Sequence, residues 1–260
     1  MNSIDETFES LREKNQQAFI PYITCGDPSL KKTVELIELL EKNGADIVEM
    51  GIPHSDPVAD GPTIQNSDDK ALKNGTTPKK ALKTLKKAKK RCSIPIVLLT
   101  YYNIVLQYGI KEFVSDFSKV ADGLIAADLP PEEASELVKR SKEHNFSNIF
   151  LASPITPEKR LEKIVKSTTG FLYVVSLLGI TGERGTVSHE IHEFMKKMRP
   201  STDIPMCVGF GISKPKHVRE ILRLGADGVI VGSSIVRRTQ SLKKVKKYVK
   251  EMSIPTKNNP

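Results

Sequence analysis

Cysteine is scarce in this chain: Cys25, Cys92 and Cys207 lie far apart, with no CxxC spacing. That pattern offers neither a disulfide framework nor a thiolate zinc site, and buried thiols are the expected state. Histidine is nearly as sparse, and the one close pair, His189 and His192, is too little for a metal site and reads as solvated surface. No apolar run approaches the roughly 18 residues of a membrane span. The opening residues, Met1-Asn2-Ser3-Ile4-Asp5-Glu6, lack the basic and apolar regions of a targeting segment. The chain is therefore expected to be a cytoplasmic protein that does not engage a membrane. Zinc-finger spacing, helix-turn-helix signals and aromatic residues interleaved with basic ones are also absent. Thus the net charge of +9 does not imply nucleic-acid binding. Lys79, Lys80, Lys83, Lys86, Lys87, Lys89, Lys90 and Arg91 alternate with Ala81, Leu82, Leu85 and Ala88 at helical spacing, which makes the lysines one solvated helix face. Lys243, Lys244, Lys246, Lys247 and Lys250 repeat this arrangement around Leu242, Val245, Val249 and Met252. An anionic substrate or an acidic partner remains compatible with the charge.

What is present is alternation. Residues 3 to 16 read as an opening helix with Ser3 as N-cap, Glu6 three positions on, and Ile4, Phe8 and Leu11 on one face. Apolar strand-like runs follow at Ala18 to Thr24, Ile47 to Met50, Ile96 to Leu99, Gly123 to Ala126, Ile149 to Ala152, Phe171 to Val175, Met206 to Gly209 and Gly228 to Val231. Each is followed by an amphipathic stretch. Continuous apolar strands alternating with helices require a parallel sheet, and eight such units in 260 residues suit a closed barrel. The rival, a doubly wound open sheet, usually has fewer strands and a phosphate fingerprint after the first, which Cys25-Gly26-Asp27-Pro28 does not match. The expectation is an α/β chain forming a single-domain (β/α)8 TIM barrel with an extra N-terminal helix, spanning 1–254, and a polar C-terminal tail at 255–260.

In such a barrel the functional groups collect at the C-terminal ends of the strands. The run from Ile47 to Pro62, which contains three prolines, places Glu49 at the end of an apolar strand and Asp60 on the far side of the following loop. Desolvation in that setting raises a carboxyl group into the range where it can give and take a proton near neutrality. Fixed φ at the prolines makes the loop a shaped wall. Read as residues alone, Asp56 and Asp60 are equally compatible with ordinary turn chemistry. At the far side of the barrel, Gly209-Phe210-Gly211-Ile212-Ser213 and Gly232-Ser233-Ser234 follow strands seven and eight, where many barrels of this type hold a phosphate on backbone N–H groups. The glycine-bearing stretch from Ser176 to Glu190 reads as a lid over the mouth or, equally, as a plain connection.

The full run Glu49-Met50-Gly51-Ile52-Pro53-His54-Ser55-Asp56-Pro57, with Asp60-Gly61-Pro62, resembles the signature of the tryptophan synthase alpha subunit family. So do Phe19-Ile20-Pro21-Tyr22-Ile23-Thr24, Pro62-Thr63-Ile64-Gln65, Tyr101 with Asn103, Asp128-Leu129-Pro130 and Gly209-Phe210-Gly211-Ile212-Ser213. Two positions depart from the pattern: the family usually has an aromatic residue where this chain has His54, and some members have Arg where this chain has Leu177.

The resemblance implies a lyase subunit that cleaves indole-3-glycerol phosphate by a retro-aldol reaction to indole and glyceraldehyde 3-phosphate. It assigns Glu49, Asp60 and Tyr173 to catalysis, and Tyr22, Leu99, Thr100, Ala127, Leu151 and Thr181 to substrate binding. The phosphate falls to Gly182, Phe210, Gly211, Gly232 and Ser233. It further implies that indole passes to a beta subunit in an αββα heterotetramer, with Pro53, Asp56, Pro57 and Asn103 at the interface. No cofactor is expected in this chain, and pyridoxal phosphate is expected in the beta subunit. Two other readings stand beside this one. A metal-dependent phosphate-sugar epimerase would share the phosphate loops but needs a cluster of His and Asp at strand ends, which the sequence does not offer. A weakly catalytic alpha chain would serve chiefly as an allosteric activator of beta.

Overall fold

A computed structural model of the chain describes residues 2–175, 189–209 and 211–257. Its strands are β1 (Ala18–Thr24), β2 (Val48–Gly51), β3 (Ile96–Thr100), β4 (Gly123–Ala126), β5 (Ser147–Asn148), β6 (Leu151–Ala152), β7 (Leu172–Val175), β8 (Met206–Gly209) and β9 (Gly228–Val231). All pair in parallel, in the order β5-β4-β3-β2-β1-β9-β8-β7-β6. Nine strands stand among the described residues where the sequence predicts eight, and the difference falls at the run expected over Ile149 to Ala152. The structure keeps only Leu151–Ala152 of that run, paired with β7, and adds Ser147–Asn148 just before it, paired with β4. The same short segment thus closes the curled sheet into a barrel, its first half on one edge and its second on the other.

Side-chain alternation along the strands divides the apolar residues into two layers. Ala18, Ile20, Ile47, Val97, Ile125, Ile149, Cys207 and Ile230 form an inner cluster, whereas Phe19, Ile23, Val48, Met50, Leu98 and Val208 pack outward against the helices. The opening helix, Ser3–Glu13, closes the lower end of the barrel, since Ile4, Phe8 and Leu11 join the inner cluster and Phe8 lies 6.0 Å from Phe171. Burial of each such side chain contributes about 1.5–3 kcal/mol. The N-cap is Asn2, not Ser3. The Asn2 side chain accepts from the N–H groups of Ile4 and Asp5, and the Asp5 carboxylate accepts from the Asn2 N–H. Ser3 is drawn away from the capping role because its hydroxyl donates to Asp122.

The last helix, Leu242–Lys257, overruns the boundary expected at 254. Pro255 and Thr256 are buried, Gln17 donates its N–H to the Thr256 carbonyl at 3.0 Å, and Lys257 pairs with Asp46 at 2.6 Å. These contacts fasten the stretch beside the start of β1, so residues 255–257 are part of the barrel's outer layer and not of a polar tail. The lysine faces are as expected: Lys79, Lys83, Lys86, Lys87 and Lys90 are exposed while Ala81, Leu82, Leu85 and Ala88 are buried. Cys25, Cys92 and Cys207 are buried free thiols.

Candidate active site

The barrel mouth holds a cavity of about 360 Å³. One wall comes from strands, since alternation sends Tyr22, Glu49, Leu99, Tyr173 and Ile230 inward. The other comes from loops: Asp60 and Gly61 after β2, Gly211 to Ser213 after β8, and Gly232 to Ser234 with Arg237 after β9. Both tyrosines depend on a missing side chain in the next strand. A Cβ at Gly51 would sit 2.2 Å from the Tyr22 hydroxyl, and one at Gly209 would sit 2.4 Å from that of Tyr173. Glycine at these two strand ends makes room for the rings.

Glu49 is paired in register with Tyr22 across β1 and β2 and is 1% exposed. Burial, and after it the nearby charge of Asp60, pushes its carboxyl up to about 8. Among the described residues its Oε2 meets no hydrogen-bond donor. Asp60 is also raised by burial, but a hydrogen bond from the Tyr101 hydroxyl (2.7 Å) opposes the shift. Tyr101 fastens the loop as well, because its hydroxyl oxygen accepts the Ala59 N–H at 2.9 Å. His54 lies against the Tyr101 ring, centroids 4.8 Å apart, and its Nδ1 accepts the Asp56 N–H at 3.0 Å. The imidazole thus packs as a ring against Tyr101. Behind it Asp68 accepts the His54 N–H at 3.4 Å, and burial lifts its own carboxyl to about 7. Burial also holds the Tyr22 and Tyr173 hydroxyls well above the ordinary phenol range, with the surrounding carboxylates adding to it. Both phenols stay protonated and able to donate.

The chain that carries these two desolvated carboxyl groups, facing glycine and serine loops across one cavity, has close counterparts in sequence and fold. The chain matches the family model for the tryptophan synthase alpha chain over residues 8–258. It is 42% identical over 236 residues to the tryptophan synthase alpha chain of Prochlorococcus marinus, covering 90% of this chain and 88% of that one. The chain belongs to the tryptophan synthase alpha chain family. The alpha chain of Arabidopsis thaliana is 38% identical over 256 residues, 98% of this chain and 93% of its own. In three dimensions a Mycobacterium tuberculosis tryptophan synthase structure superposes with a TM-score of 0.91 at 32% identity, covering 99% of this chain and 100% of that one. A Pyrococcus furiosus chain, from a structure described as a tryptophan synthase α2β2 complex, superposes at 0.87 with 38% identity, covering 91% and 98%.

Of the residues expected at an alpha-chain site, the structure brings Tyr22, Glu49, Asp60, Leu99, Tyr173, Gly211, Gly232 and Ser233 around one cavity. Three expected substrate contacts lie elsewhere. Thr100 is fully buried with its hydroxyl donating to the Ile52 carbonyl at 3.3 Å, because strand alternation turns it away from the mouth. Ala127 and Leu151 line a neighbouring cavity of about 440 Å³ with Asp128, Phe150 and Arg160. Leu151 still packs on the inner cluster beside Leu99 and Tyr173. Thr181, Gly182 and Phe210 lie outside the described residues, as does most of the expected lid. At the expected interface Asp56 and Asn103 are exposed, while Pro53 and Pro57 are buried in this chain and shape the loop.

Tyr101 and Ile64 stand in the motifs that carry the resemblance, but without a role; for Tyr101, parity with Val97 and Leu99 is the signal that favours it over Thr100. Arg237 gives no signal in the sequence, since it is one among 40 Lys and Arg residues.

Proposed function

We propose that this chain cleaves indole-3-glycerol phosphate to indole and glyceraldehyde 3-phosphate, with Glu49 as the proton-transfer group, Asp60 as the partner of the indole N–H and Tyr173 as a positioning hydroxyl. The observation that carries the reading is a fully desolvated carboxyl group, pushed up to about 8, beside a second carboxylate and opposite a donor-rich loop pair. At neutral pH Glu49 is mostly protonated and delivers its proton to indole C3. The carboxylate so formed accepts the proton of the adjacent side-chain hydroxyl. The bond between C3 and that carbon then breaks, its electron pair returns to the ring, and the carbon leaves as the aldehyde of glyceraldehyde 3-phosphate. Positive charge at the ring nitrogen during C3 protonation is met by Asp60, which accepts the N–H hydrogen bond. Tyr22, Leu99, Ile64 and Ile230 give the ring apolar surface. Gly211, Gly232 and Ser233 hold the phosphate, with Gly182 and Phe210 assigned to the same task, and this remote binding orients the reacting bond.

The partner is a beta subunit carrying pyridoxal phosphate, in an αββα assembly, and a charged phosphate ester that does not cross membranes unaided favours a cytoplasmic reaction. Support for the docking face comes from the rim. Val58 is 74% exposed, Leu106 50% and Ile155 76%, all on loops or helices that leave the same end of the barrel as Asp56 and Asn103. Of the four large apolar side chains exposed among the described residues only Ile254, on the last helix, lies apart from this rim, and that concentration favours a protein partner.

Indole release by the purified chain, alone and with saturating beta subunit, tests the proposal. Turnover that rises with beta and vanishes in Glu49→Gln is expected. Activation of beta by a chain that releases no indole in either state would reassign it as an allosteric subunit. The face is tested with Asp56→Ala, for which loss of activation by beta with intrinsic turnover retained is expected, and normal activation would remove Asp56 from the interface.

A further inference from the structure

We propose that Arg237 is a charged contact for the substrate's phosphate group, a role that rests on the phosphate assignment above and adds to it the only fixed positive charge that lines the described cavity. Its neighbours in the cavity wall are Gly211, Gly232, Ser233 and Ser234, which offer backbone N–H groups and hydroxyls but no net charge. Arg237 itself is held by neutral groups. Its Nη1 donates to the Thr63 hydroxyl at 3.1 Å and its Nη2 to the Ser234 hydroxyl at 3.2 Å. None of the ion pairs among the described residues includes it. The next residue shows the contrast. Arg238 packs over the Tyr248 ring, 4.1 Å from its centroid, and donates to the Ser234 carbonyl. One arginine of the pair is committed to the outer layer, and the other faces the cavity without an ion-pair partner among the described residues.

A phosphate monoester dianion is the ligand that fits such a place. The guanidinium fork has donors beyond those given to Thr63 and Ser234, and charge-assisted bonds to phosphate oxygen are stronger than those to hydroxyls. The position also reaches across the mouth. Thr63 is the second residue of the helix Pro62–Lys73 and lies three residues after Asp60. Arg237 therefore spans from the phosphate loop to the segment that carries the catalytic carboxylate. Because Arg237 is exposed, its replacement leaves the core intact.

Inorganic phosphate is the probe, with dissociation constants measured by calorimetry at low and high salt for the native chain, Arg237→Gln, Arg237→Lys, Thr63→Val and Ser233→Asp. Arg237→Gln is expected to weaken phosphate binding about ten-fold and to flatten its salt dependence, with Arg237→Lys between it and the native chain. Thr63→Val, which removes the tether but keeps the charge, should leave the constant unchanged. With indole-3-glycerol phosphate, Arg237→Gln should raise KM by a similar factor and leave kcat within about two-fold. Native affinity in Arg237→Gln, with weakened binding in Ser233→Asp, would overturn the role of Arg237 and leave the phosphate site standing. Unchanged affinity in both would overturn the site along with it. Equal losses in Thr63→Val and Arg237→Gln would show that Arg237 acts by tethering, which also overturns the proposal.

Discussion

The two ends of the cavity are built on opposite principles. At the strand end, Glu49, Tyr22 and Tyr173 are side chains of barrel strands, with glycines in the neighbouring strands clearing space for the rings. At the loop end, Gly211, Gly232 and Ser233 offer backbone N–H groups, with Arg237 as the cation. The first end is acidic and buries Glu49, and the chemistry proposed for it depends on a proton held on a desolvated carboxyl group. The second is open and donor-rich, suited to an anion that takes no part in bond breaking. On the proposed assignment, their separation lets binding energy at a phosphate orient a reaction at the acid end.

The comparison predicts that damage at the acid end falls on turnover and damage at the loop end falls on affinity. The largest effect is expected for Glu49→Gln, a loss of about a thousand-fold or more in kcat with substrate affinity nearly retained, read by single-turnover kinetics and equilibrium binding. The same substitution has a second signature. Because the Glu49 carboxyl is raised to about 8 in the fold from 4.5, the stability it contributes in its protonated form is fully present below 4.5 and is lost as pH rises through 8. The variant's melting temperature should therefore gain on the native chain between these pH values and level off above them. Next comes Asp60→Asn, expected to lower kcat about a hundred-fold through loss of the negative charge that faces the ring nitrogen. Ser233→Asp should raise KM about ten-fold or more by placing a like charge beside the phosphate, with kcat at saturation little altered. An effect on kcat alone would blur the division. The smallest change is expected for Tyr101→Phe, which keeps the ring against His54 but removes the hydrogen bond that lowers the Asp60 carboxyl. Turnover should fall about five-fold, and its acid limb should shift to higher pH.

How much of this was legible in the sequence follows the same division. Strands such as Ala18–Thr24 and Met206–Gly209 announced themselves as unbroken apolar runs, because parallel strands are covered on both faces. Glu49 stood out as a lone acid within such a run. The closing strand did not, since the split between Ser147–Asn148 and Leu151–Ala152 depends on which neighbour each half meets. Thr100 and Tyr101 were both visible, but only their orientation decides that one fastens Ile52 and the other Asp60. Arg237 was hidden for a different reason. Cations are plentiful in this chain, and what singles this one out is the identity of its partners, which are hydroxyls and not carboxylates. Pro255 misled in the opposite sense: proline and polar neighbours suggested a tail, and burial against the start of β1 holds the helix through Lys257.

The central claim is that burial makes Glu49 an acid near neutrality, able to serve both proton transfers. It is tested most directly by titrating the chain labelled with 13C at its glutamate carboxyl groups, with Glu49→Gln to assign the resonance. The account predicts a midpoint near 8, and a midpoint near 4.5 would show an ordinary carboxylate that cannot act as the proton donor at indole C3.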